Sequence, residues 1–347
     1  MMKALVCRGP KNISYMEVPK PKAEDDEVIV RVEYAGVCGT DLRIYEGTKE
    51  IPYPRIIGHE LSGVIYEKGK HVQNFSCGDR IVVYPMLACG ECYVCRQGRT
   101  NICVHRKTIG YEIDGAFAEF VKIPASFIEA GNVVKVPDGV TFEQAAIAEP
   151  LTAALHGIDR AHLEKGQFLA IVGAGPIGLA HLQLAQSYDV ECIVIEPAEE
   201  RRALARKLGA DYIIDPEAQN LFESIKEITE GLGVHVAMVD VGIPKVIESS
   251  LHIIRKGGIC VIFAGSPKGS SMTIDPNYIH YNEIDLIGSS SSSPGNMKRI
   301  LNMIKDGKLN TELLISDVYP MKEWEKALGK KKNYQGVKTL LFPEHSE

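Results

Sequence analysis

The sequence predicts an α/β chain in two parts: a β-rich part interrupted by a doubly wound domain built on a parallel sheet. Three observations point there. Short β segments separated by Gly, Pro and Asp turns fill the first half. After Glu149 strands and helices alternate, which requires right-handed crossovers and a sheet covered on both faces. A final segment from about Ser289 is too short to fold alone, so it is expected to pack back onto the β-rich part. The expected division is 1–152 with 290–347, and 153–289.

In the first half, residues 28–34 alternate in part, and 61–66, 80–84 and 118–123 read as further strands. Gly78-Asp79 is a turn signal just before Arg80. In the second part strands are expected at 168–172, 191–196, 211–215, 235–240, 258–263 and 285–288. Helices are expected at 176–188, 198–208, 221–229 and 245–255. The tail should hold helices near 296–305 and 322–331 and a closing strand at 337–342.

Composition narrows the function. The chain has 347 residues, 45% hydrophobic and 24% charged, which is ordinary for a soluble globular protein. Net charge is −6, and basic residues cluster only at Lys330, Lys331 and Lys332, so no nucleic-acid partner is expected. The first residues lack the apolar core and cleavage site of a secretion signal. The most apolar stretch, 168–185, is broken by Gly173, Gly175, Pro176, His181 and Gln183, which argues against a membrane span. A cytoplasmic protein is expected.

Cys89, Cys92, Cys95 and Cys103 form a C-x2-C-x2-C-x7-C run. Such gaps let successive thiolates turn toward one point, the arrangement of a closed, structural zinc site. Disulfides are the alternative, but nine cysteines are an odd number and no secretion signal precedes them.

Gly173, Gly175 and Gly178 fit G-x-G-x-x-G after a predicted strand and at the start of a helix opened by Pro176. Gly173 permits the tight turn, Gly175 lets backbone approach a pyrophosphate, and Gly178 lets helix pack closely on strand. Glu196 ends the next strand, where a carboxylate accepts from the ribose hydroxyls and repels a 2′-phosphate, so NAD is expected as cofactor. Arg201 and Arg202 close behind keep an NADP reading open.

Cys38-Gly-Thr-Asp precedes Gly58-His59-Glu60 by about twenty residues, and Glu149-Pro150 closes the β-rich half. A soft thiolate, an imidazole and carboxylates suit an open zinc site with a position left for substrate or water. With these motifs in this order, the chain resembles the zinc-containing medium-chain alcohol dehydrogenases, on the sorbitol (polyol) and threonine dehydrogenase branch. The resemblance runs from Val28 to Phe342 and includes Ala148-Glu-Pro-Leu-Thr152. It implies a GroES-like catalytic domain and a Rossmann NAD-binding domain.

It also implies roles. Cys38 and His59 would be catalytic zinc ligands, and Glu60 a third ligand or a neighbour that swaps with water. Glu149 would sit at the zinc, as ligand or holding its water. Thr40 would pass on the substrate hydroxyl proton, and Asp41 would fix the His59 tautomer. Ile177, Glu196 and Arg201 match NAD contacts, while Phe263, Ala264 and Gly265 and Ser289, Ser290 and Ser291 lie where backbone holds the nicotinamide. Two zinc ions per chain and a homodimer or homotetramer are implied. The chemistry is hydride transfer between a secondary alcohol (a polyol, a sugar alcohol or its phosphate) and NAD. A threonine-type amino-alcohol dehydrogenase, or a catalytically silent relative that keeps the fold for binding, are the alternatives.

Two positions depart from the family pattern. Arg43 stands where a relay histidine is common, and it cannot titrate near neutral pH. It is a surface arginine, or a partner for an anion on cofactor or substrate. Ser289-Ser-Ser-Ser-Ser293 replaces the arginine that grips substrate in polyol and threonine dehydrogenases.

Overall fold

The strand Val28–Gly36 organises the β-rich part, because Val28, Ile29, Val30, Val32 and Ala35 are all buried and so need cover on both faces. It pairs antiparallel with Glu60–Lys68, Phe120–Ile123 and Lys338–Phe342. Seven strands form this sheet, ordered Val133–Lys135, Arg80–Val83, Glu60–Lys68, Val28–Gly36, Lys338–Phe342, Ile315–Pro320, with Phe120–Ile123 off that path. The tail therefore supplies two strands, parallel to each other, to a sheet begun near the N-terminus. A hairpin of Met2–Gly9 and Asn12–Val18, joined by Arg55–Ile56, makes a second small sheet. The structure, a computed structural model, describes residues 1–345.

The second part has six parallel strands in the order Tyr212–Ile214, Glu191–Ile195, Phe168–Val172, Val234–Val239, Ile254–Ile262, Asp285–Gly288. Winding reverses between Phe168–Val172 and Val234–Val239, and such a switch point leaves a crevice at the carboxyl ends of the strands. The β-branched and apolar runs Phe168–Val172 and Val234–Val239 are buried almost throughout, as a sheet covered on both faces requires. The chain divides into two compact units, residues 1–152 with 292 onward, and 153–291.

Several elements differ from expectation. The helix expected at 245–255 is Pro244–Leu251, because the strand already begins at Ile254 and takes Gly257 and Gly258 into a bulge opposite Val234 and Val236. The helix at 176–188 is Pro176–Ala185 followed by a 3-10 turn, and that at 322–331 is a turn followed by Trp324–Lys332. The N-terminal hairpin, the helices Gly39–Glu46, Ala148–Ala161 and Pro276–Asn282, and the strand Ile315–Pro320 were not foreseen. Among the described residues no helix is long and apolar enough to cross a membrane.

Candidate metal centres and dinucleotide site

The four clustered cysteines come together as the spacing suggests. Cys92 Sγ lies 3.4 Å from Cys95 Sγ and 3.9 Å from Cys103 Sγ, and Cys103 Sγ is 3.5 Å from Cys89 Sγ. A tetrahedron of sulfurs about 2.3 Å from a zinc ion has edges of about 3.8 Å, so the lobe fits one ion without rearrangement. No cysteine among the described residues is in a disulfide. Backbone N–H groups of Cys89, Cys92 and His105 donate to the sulfurs, which favours thiolates.

The second cluster is assembled by strand register. Cys38 caps the helix Gly39–Glu46, and its backbone N–H donates to Asp41 Oδ2 at 2.8 Å. His59 and Glu60 enter from the start of Glu60–Lys68, whose register places Glu60 opposite Gly36. A β-carbon at residue 36 would lie 2.0 Å from Glu60 Oε2, so only glycine leaves room for this carboxylate. The ligand atoms of Cys38, His59 and Glu60 lie within 4.8 Å of one another. His59 Nδ1 is 3.6 Å from Asp41 Oδ1, beyond hydrogen-bond length, and neither buried atom has another partner among the described residues. A thiol, an imidazole and a carboxylate gathered this closely are a donor set that suits an ion, with Asp41 beside His59 to orient its ring. Glu149, in the first turn of Ala148–Ala161, stays outside that three-residue group.

The titrating groups of this cluster act strongly on one another. Burial alone would raise the Cys38 thiol, but the charges of His59 and Lys338 prevail and hold it below the usual value. Burial also opposes charge on His59, yet Tyr111, Cys38 and Asp41 keep its pKa well above the ordinary one. Burial pushes the Glu149 carboxyl up to about 7, with repulsion from Glu60 adding to it.

Two residues of this cluster carry no sequence signal. Lys338 reaches in from the last strand and places Nζ 2.5 Å from both Glu60 oxygens. The Tyr111 ring centroid stands 5.3 Å from that of His59. Arg43 Nη2 donates to Thr40 Oγ1 at 2.9 Å.

The glycine loop sits at the carboxyl end of Phe168–Val172. Gly173 has φ +102°, and a β-carbon at Gly178 would meet Gly173 O at 1.9 Å. A β-carbon at Gly175 would meet nothing within 4 Å, so that position opens a cradle at the helix N-terminus that a pyrophosphate can fill. Glu196 is buried and accepts from the backbone N–H of Ala174 at 2.7 Å and of Ala198 at 3.0 Å. Arg201 Nη1 is 4.0 Å from Glu196 Oε2. Arg202 is committed elsewhere, donating to Glu196 O at 2.9 Å and pairing with Asp215 at 2.8 Å.

Ile177 is half-buried in the first helical turn, next to Pro176. Phe263 and Ala264 continue from the strand Ile254–Ile262, their N–H groups donating to Val239 O. Gly265 has open space where a side chain would be, and buried Ser289 Oγ has no partner among the described residues. Ser290 and Ser291 follow, Ser291 at φ +59°. His181 and Asp240, a buried pair 2.9 Å apart behind Gly178, are a further feature the motif does not encode.

Comparison with known proteins identifies the family. Residues 24–141 match the alcohol dehydrogenase GroES-like domain and residues 176–306 the zinc-binding dehydrogenase family. A sorbitol dehydrogenase of Bacillus subtilis is 32% identical over 99% of this chain and 97% of its own length. A D-arabitol-phosphate dehydrogenase of Enterococcus avium is 33% identical over 96% of this chain and 94% of its own. A protein of Sinorhizobium meliloti 1021 described as a zinc-binding dehydrogenase, solved bound to NADP, superposes with a TM-score of 0.91 at 30% identity, covering 99% of each chain. With its metal-ligand clusters and glycine loop in these places, the chain belongs to the zinc-type medium-chain alcohol dehydrogenase family.

Proposed function

We propose that this chain is an NAD-dependent polyol dehydrogenase that holds two zinc ions, one in the cysteine lobe and one at Cys38 and His59. The reaction is secondary alcohol plus NAD⁺ to ketone plus NADH and a proton: the carbinol C–H bond breaks, its hydride goes to C4 of the nicotinamide, and the hydroxyl proton leaves to solvent. The gathering of the Cys38, His59 and Glu60 ligand atoms within 4.8 Å carries the reading, since a binding protein needs no such open site. When bound there, with Glu60 or Glu149 beside it, zinc supplies Lewis acidity toward the alcohol oxygen.

The chain's own groups do the rest. Arg43 occupies one lone pair of Thr40 Oγ1, leaving the other to accept from the substrate hydroxyl and the Thr40 O–H to hand a proton on. Arg43 itself stays charged, so the proton leaves through water. The N-terminus of Pro176–Ala185 and the open face of Gly175 receive the pyrophosphate. The Glu196 carboxylate favours NAD over NADP, and the commitment of Arg202 to Glu196 O and Asp215 supports that choice. Residues 1–152 and 290–347 are assigned the catalytic role and 153–289 the cofactor role, in a cytoplasmic homodimer or homotetramer.

The test is NADH production across polyols, polyol phosphates, short secondary alcohols and threonine, with metal content measured on the same protein. Two zinc atoms per chain and turnover of a polyol support the reading. One zinc per chain with no alcohol oxidised would point to a silent relative.

A further inference from the structure

We propose that Arg43 and Lys49 form a phosphate-binding subsite, so that the alcohol this chain oxidises is a phosphorylated polyol. The inference rests on the dehydrogenase reading and narrows its substrate class.

Arg43 follows Thr40 by one helical turn on Gly39–Glu46, so the two share a face. Its Nη2 is anchored on Thr40 Oγ1 at 2.9 Å, which orients the guanidinium and leaves its remaining N–H donors for another acceptor. Lys49 lies just past that helix, with Nζ 4.3 Å from the centroid of the Tyr111 ring. The same ring stands 5.3 Å from His59. One cation thus borders the reaction centre through Thr40 and the other through Tyr111.

These cations lack acidic partners. Among the described residues, none of Arg43, Lys49 and Arg106 has a carboxylate oxygen within 4.0 Å, whereas Arg31, Arg55, Arg202 and Arg206 each do. Lys49 is half-buried, and its pKa is lowered by that burial first and then by the charges of Arg106 and Arg43. Glu112 opposes this less than the other influences act, and its carboxylate already accepts from Thr108 N–H at 2.8 Å. Like charges drawn together around a half-buried lysine destabilise the free protein, and an anion arriving among them relieves the repulsion.

A phosphate monoester, at about −1.5 to −2 near neutral pH, matches this cluster. The arginine fork suits two of its oxygens and the lysine serves as a point charge. An uncharged polyol would leave the cations unanswered, and a single carboxylate would need only one of them. The cofactor pyrophosphate has its own donors in the Gly173–Gly178 loop and the helix behind it.

The experiment compares the zinc-loaded wild type with Arg43→Gln, Lys49→Met and Arg106→Gln. The quantity read is kcat/KM for a polyol phosphate divided by that for the same polyol unphosphorylated, which cancels any effect on chemistry common to both. The ratio should exceed 1 in the wild type and fall by about tenfold to a hundredfold in Arg43→Gln and in Lys49→Met, and by less in Arg106→Gln. Arg43→Lys should recover part of the loss. A second arm titrates inorganic phosphate calorimetrically into the same proteins, where Arg43→Gln/Lys49→Met should bind at least about tenfold more weakly. This arm needs no turnover, so it separates failure of the subsite from failure of the dehydrogenase reading. An unchanged ratio with unchanged phosphate affinity overturns the inference. So does a rise in KM for NAD with the ratio preserved, which would assign the cations to the cofactor.

Discussion

Lys338 Nζ lies 2.5 Å from the Glu60 carboxylate, 278 residues away in sequence, and both side chains are buried. The pair fixes one wall of the Cys38 and His59 cluster, and removing its cation leaves a buried charge without a partner. Lys338→Met should therefore destabilise the protein by about 3–5 kcal/mol, read from urea unfolding. Lys338→Met/Glu60→Gln should regain much of that loss. A single variant within about 0.5 kcal/mol of wild type would show that the pair does not hold the fold.

The same pair sets an alkaline limit. Burial opposes the charge on Lys338, but Glu60 and then Cys38 outweigh it and raise its pKa above the usual lysine value. A group whose pKa is raised on folding contributes stability fully present below the unfolded value of about 10.4, and loses it as pH rises through the folded value. The stability gap between wild type and Lys338→Met should stay level from neutral pH to about 10 and narrow above it. A gap that stays level or widens above about pH 10 would contradict this sign.

Metal analysis should separate the two clusters. Cys92→Ser opens a closed lobe whose binding free energy supports local folding, so it should lose one zinc per chain and lower Tm. Cys38→Ala should also lose one zinc and all hydride transfer, while NADH binding persists, because the glycine loop and Glu196 lie in another unit. Turnover by Cys38→Ala would remove Cys38 from the reaction.

Two glycines of one loop should respond differently. Gly175 has an ordinary φ of −71° and open space beside it, so Gly175→Ala should leave Tm unchanged yet weaken NADH binding by blocking the cradle. Gly178→Ala would drive a methyl to 1.9 Å from Gly173 O, so it should lower Tm as well. Equal effects on Tm would refute the assignment of the open face to ligand.

Glu196→Ala should raise KM for NAD about tenfold or more, since a charged acceptor is lost, and should narrow the preference over NADP. The loop itself should loosen, because Glu196 accepts from Ala174 N–H at 2.7 Å. A wild type that prefers NADP would reverse the cofactor assignment.

What the sequence displays is what local spacing encodes. The cysteine lobe spans fifteen residues and the glycine loop six, and each motif carries its own geometry. The alternation of strands and helices after Glu149 likewise follows from short-range pattern, and the observed parallel order matches it. Lys338 and Tyr111 were not legible, because their places depend on strand pairing and loop packing far along the chain. The hairpin Met2–Gly9 escaped for a related reason: residues 4–7 are all buried, so no alternation marks it as a strand. The end of the helix at Leu251 was missed because Arg255, Lys256 and Gly257 look like a helix stop and in fact begin a bulged strand.

The strand that brings in Lys338 is also made after every other strand of its sheet. During synthesis the six-stranded unit leaves the ribosome before it and can fold on its own schedule, while the seven-stranded sheet waits for residues 338–342. Until then Glu60 has no cation and the edge of Val28–Gly36 that pairs with Leu340 and Leu341 stands open. A nascent chain stalled or clipped before Lys338 would therefore be a client for chaperones and proteases even with its cofactor fold intact. Quality control would then read the chain at residues 338–342, where completion of the sheet and the pairing of Glu60 are the same event.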